Sequence, residues 1–208
     1  MTRAARRLAC AALIGVTAFA GGCARALLPE PAAAPALFAL AGDGEEAAAA
    51  APAAAARTLI VEPPRAAPGF DTSQMVYVRR PYEIEFFAHH QWVDTPSNML
   101  APKMARAIEG TGAFHAVLGA PTSATGQYRL ESELVRLQQD FSTTPSHVRL
   151  TLRAALIDAA SRKVIASREF DARVDATADD PYAGVVAAQR AAGQVLSELA
   201  RFCAASVR

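Results

Sequence analysis

Residues 75–114, MVYVRRPYEIEFFAHHQWVDTPSNMLAPKMARAIEGTGAF, hold the pattern that decides the fold. In their first half, apolar and polar residues alternate with a period of two. Such alternation is typical of strands that bury one face, so we expect Phe86 to point inward and Phe87 outward. The apolar positions of this alternation are Val76, Val78, Ile84, Phe86 and Ala88.

After Trp92 the spacing of apolar residues becomes that of a helix, and Gly110 follows where that helix would end. Thr95 before Pro96 is a suitable start, because Thr favours the N-cap and Pro the first turn. That start places Pro102 in the helix interior, at a cost of about 3 kcal/mol. We therefore favour a start at Asn98 or a kinked first turn. The apolar positions of the helix are Met99, Leu100, Met104, Ala107 and Ile108.

The remainder of the folded part, residues 58–207, reads mainly as strands. A short strand is expected at 58–61 and another at 114–118, and longer ones at 128–141, 148–156 and 164–174. The first long strand changes its apolar face midway, which predicts a bulge. Charges on the other two favour antiparallel pairing: Arg149 and Arg153 against Glu169 and Asp171.

A second helix is predicted after Asp180, a good N-cap, with Pro181 as its first residue. Apolar residues from Val185 to Phe202 form one stripe along it, and Cys203 lies at the edge of that stripe as a small buried residue. Two helices beside these strands predict an α+β fold. We expect a two-layer sandwich, a mostly antiparallel sheet with both helices packed on one face.

Composition excludes several functions. The 208 residues carry a formal net charge of +1, so nucleic acid is not an expected partner. The three cysteines, Cys10, Cys23 and Cys203, form no CxxC pair, which argues against a structural zinc site or thioredoxin-like chemistry.

The N-terminus is typical of an exported protein. Arginines at positions 3, 6 and 7 precede an apolar run at 8–20 that is too short to span a bilayer, as in a secretory signal. The next residues, Ala20-Gly21-Gly22-Cys23, resemble a bacterial lipobox, although leucine is usual at the position of Ala20. We expect residues 1–22 to be a signal peptide and Cys23 to be acylated, with triacylation holding the protein on the membrane. The alternative is an ordinary secretory signal that happens to end in a cysteine.

Residues 23–57 are rich in alanine and proline and have too little apolar bulk for a core, so we expect a mainly extended tether. Their one apolar patch, Ala36-Leu37-Phe38-Ala39-Leu40, either docks on the domain as an edge strand or does not dock at all. The sequence leaves both alternatives open.

No residue combination indicates catalysis. His89, His90, Asp94 and His115 are the plausible metal or acid–base candidates, but adjacent residues of a strand point to opposite faces, so surface histidines are the default interpretation. No GxSxG or GxxxxGK[ST] motif is present. We expect no cofactor, no metal and no enzymatic activity.

Trp92 forms an aromatic concentration with Tyr82, Phe86 and Phe87. Core packing at the corner between strand and helix is its simpler explanation. The functional alternative is that Phe87 and Trp92 contact lipid or a partner protein.

The chain resembles a known family, the auxiliary lipoproteins of ABC-type, MCE-containing intermembrane lipid transport systems. The resembling features are the Cys23 lipobox, the patch at 37–40, the block from Val76 through Trp92 to Phe114, the strand at 128–141 and the terminal helix. The resemblance implies an outer-membrane lipoprotein that faces the periplasm and works with an MCE-domain protein and ABC transporter subunits. A homo-oligomer is also expected. The alternatives are a stand-alone envelope assembly or scaffold lipoprotein and, as a third class, a secreted hydrolase.

Overall fold

A computed structural model describes residues 34–40 and 57–207 of the chain. Within these residues the chain forms nine strands and two helices. The strands are β1 (Ala36–Phe38), β2 (Thr58–Val61), β3 (Arg65–Ala66), β4 (Gln74–Val78), β5 (Glu85–Trp92), β6 (Ala116–Gly119), β7 (Tyr128–Asp140), β8 (His147–Asp158) and β9 (Val164–Asp175). The helices are α1 (Pro96–Glu109) and α2 (Pro181–Ser206).

The long strand β7 organises the sheet. One of its edges pairs antiparallel with β8 along nearly its whole length, and β8 pairs antiparallel with β9. Along its other edge three short strands follow one another, β2, then β3, then β4, each parallel to β7. Most of the paired residues are antiparallel, and the α+β class predicted from the sequence is confirmed.

The short strands extend the sheet at both ends of β7. Next to the start of β7, β6 joins β2 in parallel. Next to the end of β7, β5 pairs antiparallel with β4, and β1 joins the outer edge of β5 in parallel. Because Tyr77 lies opposite Gln139 and Tyr128 opposite Asp158, the β4–β5 hairpin and the β8–β9 turn project from opposite ends of the sheet.

The hydrophobic core lies between the sheet and the two helices. The predicted stripe of α2 is buried except for the half-buried Phe202, and Leu199 of α2 and Phe170 of β9 are almost fully inaccessible. Leu100, Met104 and Ile108 contribute the buried side of α1. Burial of one such large apolar side chain contributes about 1.5–3 kcal/mol.

Local signals in the sequence specify several of these elements. Strand β2 spans the predicted residues, and Asp180 caps α2 by accepting a hydrogen bond from the Ala183 amide at 2.8 Å. The predicted bulge in β7 is present as a register shift between Leu134 and Arg136. The predicted charge pairs also form, at 2.9 Å for Arg149–Asp171 and for Arg153–Glu169.

Of the two favoured alternatives for α1, the start at Asn98 was wrong. The helix begins at Pro96, with the Thr95 hydroxyl as its cap at 3.4 Å from the Asn98 amide nitrogen, and it contains Pro102. Burial of Pro96 and Leu100 holds this first turn against the rest of the domain, because packing outweighs the local cost of one proline. The predicted strand at 114–118 is also shifted, to Ala116–Gly119, where it pairs with β2.

The buried face of β5 was wrong as well. Ile84 and Phe86 are exposed by 44% and 40%, whereas Phe87 packs against the core. The alternation is present, but its apolar side faces away from the helices. A period of two identifies a strand with two unlike faces without stating which face the rest of the chain covers.

The predicted tether takes part in the fold over the residues that the structure describes. Of the two alternatives for the patch at 36–40, docking as an edge strand is the one observed: Ala36–Phe38 is β1, and Leu40 is buried. Within the described residues, neither helix combines the length and the hydropathy needed to cross a membrane.

Candidate functional site

The base of the β4–β5 hairpin is held by a network of polar side chains. Glu85 accepts a hydrogen bond from the Tyr77 hydroxyl at 2.9 Å and another from Arg79 Nε at 2.7 Å. The Arg79 guanidinium lowers the pKa of Glu85, and the hydrogen bond to Glu85 raises the pKa of Tyr77. Nearer the tip, Arg80 Nε lies 3.1 Å from the Glu83 carboxylate. Each acidic side chain of the hairpin is thus paired with an arginine, and the hairpin carries no net charge.

The opposite side of the same hairpin is apolar and exposed. Tyr82, Ile84 and Phe86 follow one another at every second position, and Tyr82 at the tip is fully exposed. Tyr82 adopts a φ of 68°, which a residue with a side chain rarely does and which costs about 1–3 kcal/mol. We call these three residues the hairpin patch.

Phe87 belongs to an aromatic cluster on the helix side of the sheet. Its ring centroid lies 4.5 Å from that of Tyr77, 6.3 Å from Phe141 and 6.1 Å from His90. Tilted and edge-to-face contacts at these distances contribute about 0.5–1.5 kcal/mol each beyond burial. The cluster fixes the hairpin on the end of β7.

Strand β1 closes the edge of the sheet next to this cluster. Phe38 stacks on His90 with centroids 5.9 Å apart and meets Tyr182 of α2 at 6.3 Å. The Leu40 amide points at the Met99 sulfur at 3.4 Å. Contacts with β5, α1 and α2 therefore hold these few residues in place.

The predicted site residues are separated by the fold. Trp92 is buried in the core, as the simpler explanation of the aromatic concentration has it, and Phe87 is half-buried in the cluster just described. Contact of either residue with lipid or a partner stays a prediction. Cys23 lies outside the described residues, so its acylation stays a prediction too.

The candidate metal ligands do not converge. His89 and His115 are exposed, His90 stacks on Phe38, and Asp94 accepts hydrogen bonds from the Thr95 amide and the Asn98 side chain at the start of α1. Among the described residues, no group of three or more histidine, cysteine, aspartate or glutamate side chains is placed to hold a metal ion.

A buried polar cluster joins the β7–β8 turn to the start of α2. Gln139 Nε2 donates to Ser146 Oγ at 3.0 Å and to the Asp180 carbonyl oxygen at 3.2 Å, and the Ser146 amide donates to Asp179 Oδ1 at 2.6 Å. Because these partners come from separate elements, the cluster fixes the turn against the helix.

His147 lies beside this cluster without forming a catalytic triad. Its Nδ1 atom is 3.2 Å from the Thr143 hydroxyl, and its Nε2 atom is 3.9 Å from Asp140, beyond hydrogen-bonding distance. Burial lowers the pKa of His147, which keeps the imidazole neutral and structural.

Cys203 is buried on α2 and free. Burial raises the pKa of its thiol to about 12, so the nucleophilic thiolate is scarce at neutral pH. The predicted role as a small buried residue is confirmed.

A cleft of about 700 Å³ opens at the other end of the sheet, between the β6–β7 loop and the β8–β9 turn. Its volume is in the range of ligand pockets. Its charged lining residues, Glu62 and Arg129, neutralise each other at 2.6 Å. The lining contains no histidine or cysteine that would act as a base or nucleophile.

Within the described residues, the polar side chains of this α+β domain brace turns and helix starts, and its N-terminal strand β1 docks on the sheet. The sequence of residues 38–200 matches the family described as the ABC-type transport auxiliary lipoprotein component. This chain belongs to that family. The family makes it a cell-envelope lipoprotein associated with an ABC transport system, a role that suggests no catalysis of its own.

Solved structures share the fold at low sequence identity. A protein from Xanthomonas campestris is 22% identical, with a TM-score of 0.68 over 83% of this chain and 94% of that one. A second, described as an uncharacterized protein, is 12% identical, with a TM-score of 0.62 over 82% of this chain and 99% of that one. Among curated proteins, none matches this sequence.

The exposure of the hairpin patch was not predicted from the sequence pattern. Ile84 and Phe86 were assigned to the core, and Tyr82 was placed only in a general aromatic concentration. A signal was present: Arg80-Pro81 interrupts the alternation and marks a turn, so the residues that follow it begin at the tip of a hairpin.

Proposed function

We propose that this protein is a non-enzymatic lipoprotein subunit of an ABC/MCE-type intermembrane lipid transport system. It is anchored in the outer membrane through Cys23, faces the periplasm, and links the membrane to the periplasmic transport apparatus. The match of residues 38–200 to the auxiliary lipoprotein family carries this proposal.

The N-terminal sequence supports the anchor. Residues 20–23, Ala-Gly-Gly-Cys, follow a short apolar run as in a lipoprotein signal, and Ala24 does not match the aspartate that would retain a lipoprotein at the inner membrane. Three acyl chains on the mature N-terminus give stable attachment, because each buried methylene contributes about 0.8 kcal/mol.

The chemistry of the domain supports a role in binding rather than in turnover. Its histidines are dispersed, its free cysteine is buried, and the charged side chains of its cleft neutralise each other. Energy for transport would come from the ABC transporter subunits. Several copies of this domain around an MCE-domain protein would form the link.

Two experiments test the proposal. Cys23→Ser should move the protein from the membrane to the soluble periplasmic fraction, and membrane retention of that variant would contradict the anchor. Crosslinking of native envelopes followed by purification of the full-length protein should recover an MCE-domain protein and an ABC permease. Recovery of an outer-membrane barrel or cell-wall components instead would identify a stand-alone assembly or scaffold lipoprotein.

A further inference from the structure

The hairpin patch is an apolar surface at the hairpin tip and the start of β5 that the described residues cover only in part: Tyr82 is fully exposed, and Ile84 and Phe86 are 44% and 40% exposed. Ile84 and Phe86 alternate along the chain with Glu83 and Glu85, both glutamates are paired with arginines, and Tyr82 lies in the turn. Strands that alternate in this way normally bury their apolar side. Here the apolar residues end at Tyr82, which is fully exposed and has a positive φ. That conformation costs free energy, and no contact of the Tyr82 side chain with the core compensates for it.

The direction of β1 relates the hairpin patch to the N-terminal end of the domain. β1 runs parallel to β5 with Ala36 opposite His90, so the N-terminal end of β1 points toward the start of β5, where the hairpin tip lies. Cys23 is eleven residues before Ala34, and eleven extended residues span at most about 36–40 Å. The hairpin tip is about eight residues, or roughly 26 Å, from the level of Ala36 along the strand. An anchor at Cys23 can therefore hold the bilayer against the hairpin tip.

The composition of the tip fits the interface of a bilayer. Tyrosine concentrates at this depth because its ring is apolar and its hydroxyl remains hydrated. The stems of Arg79 and Arg80 can cover apolar surface while their charged ends stay in water. Since both arginines are paired with glutamates, insertion of the patch brings no uncompensated charge to the membrane.

From these observations we infer that the hairpin patch is a second membrane contact, which inserts into the interface of the lipid bilayer that holds the N-terminal anchor. This inference rests on the proposed lipid anchor. The contact sets the orientation of the domain: the β4–β5 end faces the membrane, and the cleft by the β8–β9 turn faces away from it.

The test uses the full-length acylated protein reconstituted into vesicles of phosphatidylethanolamine and phosphatidylglycerol. A polarity-sensitive fluorophore is attached to a Tyr82→Cys variant and, as the matched control, to a Val164→Cys variant, since Val164 is exposed at the opposite end of the sheet. Cys203 is buried and does not compete for the label. We expect the emission at residue 82 to shift to the blue and nitroxide lipids to quench it by roughly half, with the label at 164 unchanged.

A pair of variants tests whether the quenching depends on the patch residues rather than on the attached label. Ile84→Ser with Phe86→Ser should abolish most of the quenching at residue 82, whereas Ile165→Ser, also exposed but at the other end, should leave it unchanged.

The outcomes distinguish failure of the hairpin contact from failure of the lipid anchor. Protein that floats with the vesicles while the label at 82 stays in water overturns the hairpin contact alone. Protein that does not float overturns the anchor and this contact with it. A label at 82 that is already shielded before vesicles are added, and is insensitive to nitroxide lipid, shows that protein covers the patch and also overturns the membrane contact.

Discussion

The side-chain amide of Gln139 lies directly against the α-carbon of Gly184, in the first turn of α2. A β-carbon at residue 184 would collide with Gln139 Oε1. Gln139 has no room to withdraw, because it is buried and its Nε2 atom donates to Ser146 and to the Asp180 carbonyl. The end of β7 can therefore pack against the start of α2 because residue 184 is a glycine and has no side chain.

Gly184→Ala should destabilise the domain. Displacing Gln139 breaks buried hydrogen bonds at a cost of about 1–3 kcal/mol, which exceeds the roughly 1 kcal/mol that alanine contributes to a helix over glycine. Urea unfolding measures the difference. Gly193→Ala is the matched control in the same helix, where an added β-carbon meets nothing within 4 Å, and it should stabilise by about 0.5–1 kcal/mol. Equal stabilisation by both changes would contradict the fit at Gln139.

Leu40→Ala should lower the free energy of unfolding by about 2–5 kcal/mol, although residue 40 lies in the predicted tether. Leu40 is 3% exposed and belongs to the core, whereas Leu37 of β1 is 61% exposed. Leu37→Ala should therefore change stability by less than about 0.5 kcal/mol. Urea melts of both variants compare them. If Leu40→Ala behaved like Leu37→Ala, the docking of this segment would not contribute to stability.

Stability should fall as the pH decreases below neutral. The pKa of His147 lies below its ordinary value of 6.5 because burial disfavours the charged imidazolium, and Arg173 acts in the same direction while Asp140 and Asp175 oppose it. The unfolded chain then binds a proton that the folded chain excludes, so the contribution is fully present above pH 6.5 and is lost as the pH falls toward the lower, folded-state pKa. His147→Gln should flatten the pH dependence of the unfolding free energy between pH 7 and pH 5. An unchanged slope would assign the effect to other groups.

Cys203 should resist thiol reagents in the folded protein. Its thiol is buried, and its pKa is raised to about 12, so both access and the thiolate fraction are low. Mass spectrometry after treatment with N-ethylmaleimide should show no modification at Cys203 in native buffer and complete modification in concentrated urea. Rapid modification under native conditions would show that the C-terminal part of α2 opens readily.

Much of the fold was predictable because local chemistry specifies it. Asp180 and Pro181 define the start of α2 by capping and backbone geometry, and the pairing of Arg153 with Glu169 follows from alternating charges on adjoining strands. The start of α1 was not predictable in this way. The local cost of Pro102 is real, but packing of distant parts of the chain decides where that helix begins.

The candidate site was less predictable than the fold. Sequence alternation identified residues 84–88 as a strand with two unlike faces, yet placed Phe86 inward and Phe87 outward. Phe87 packs against Tyr77 and Phe141, and Phe141 follows the end of β7, more than fifty residues away in the sequence. No local pattern contains that contact.

Periodicity, caps and motifs are properties of neighbouring residues, so they predicted most elements of this protein, the lipobox pattern at Cys23 and the family that the chain resembles. The docking of β1 on β5, the contact of Gln139 with Gly184, and the exposure of the hairpin patch follow from long-range packing. Burial is a property of the whole chain: a strand face becomes core when another element covers it, and the two helices pack on the other side of this sheet.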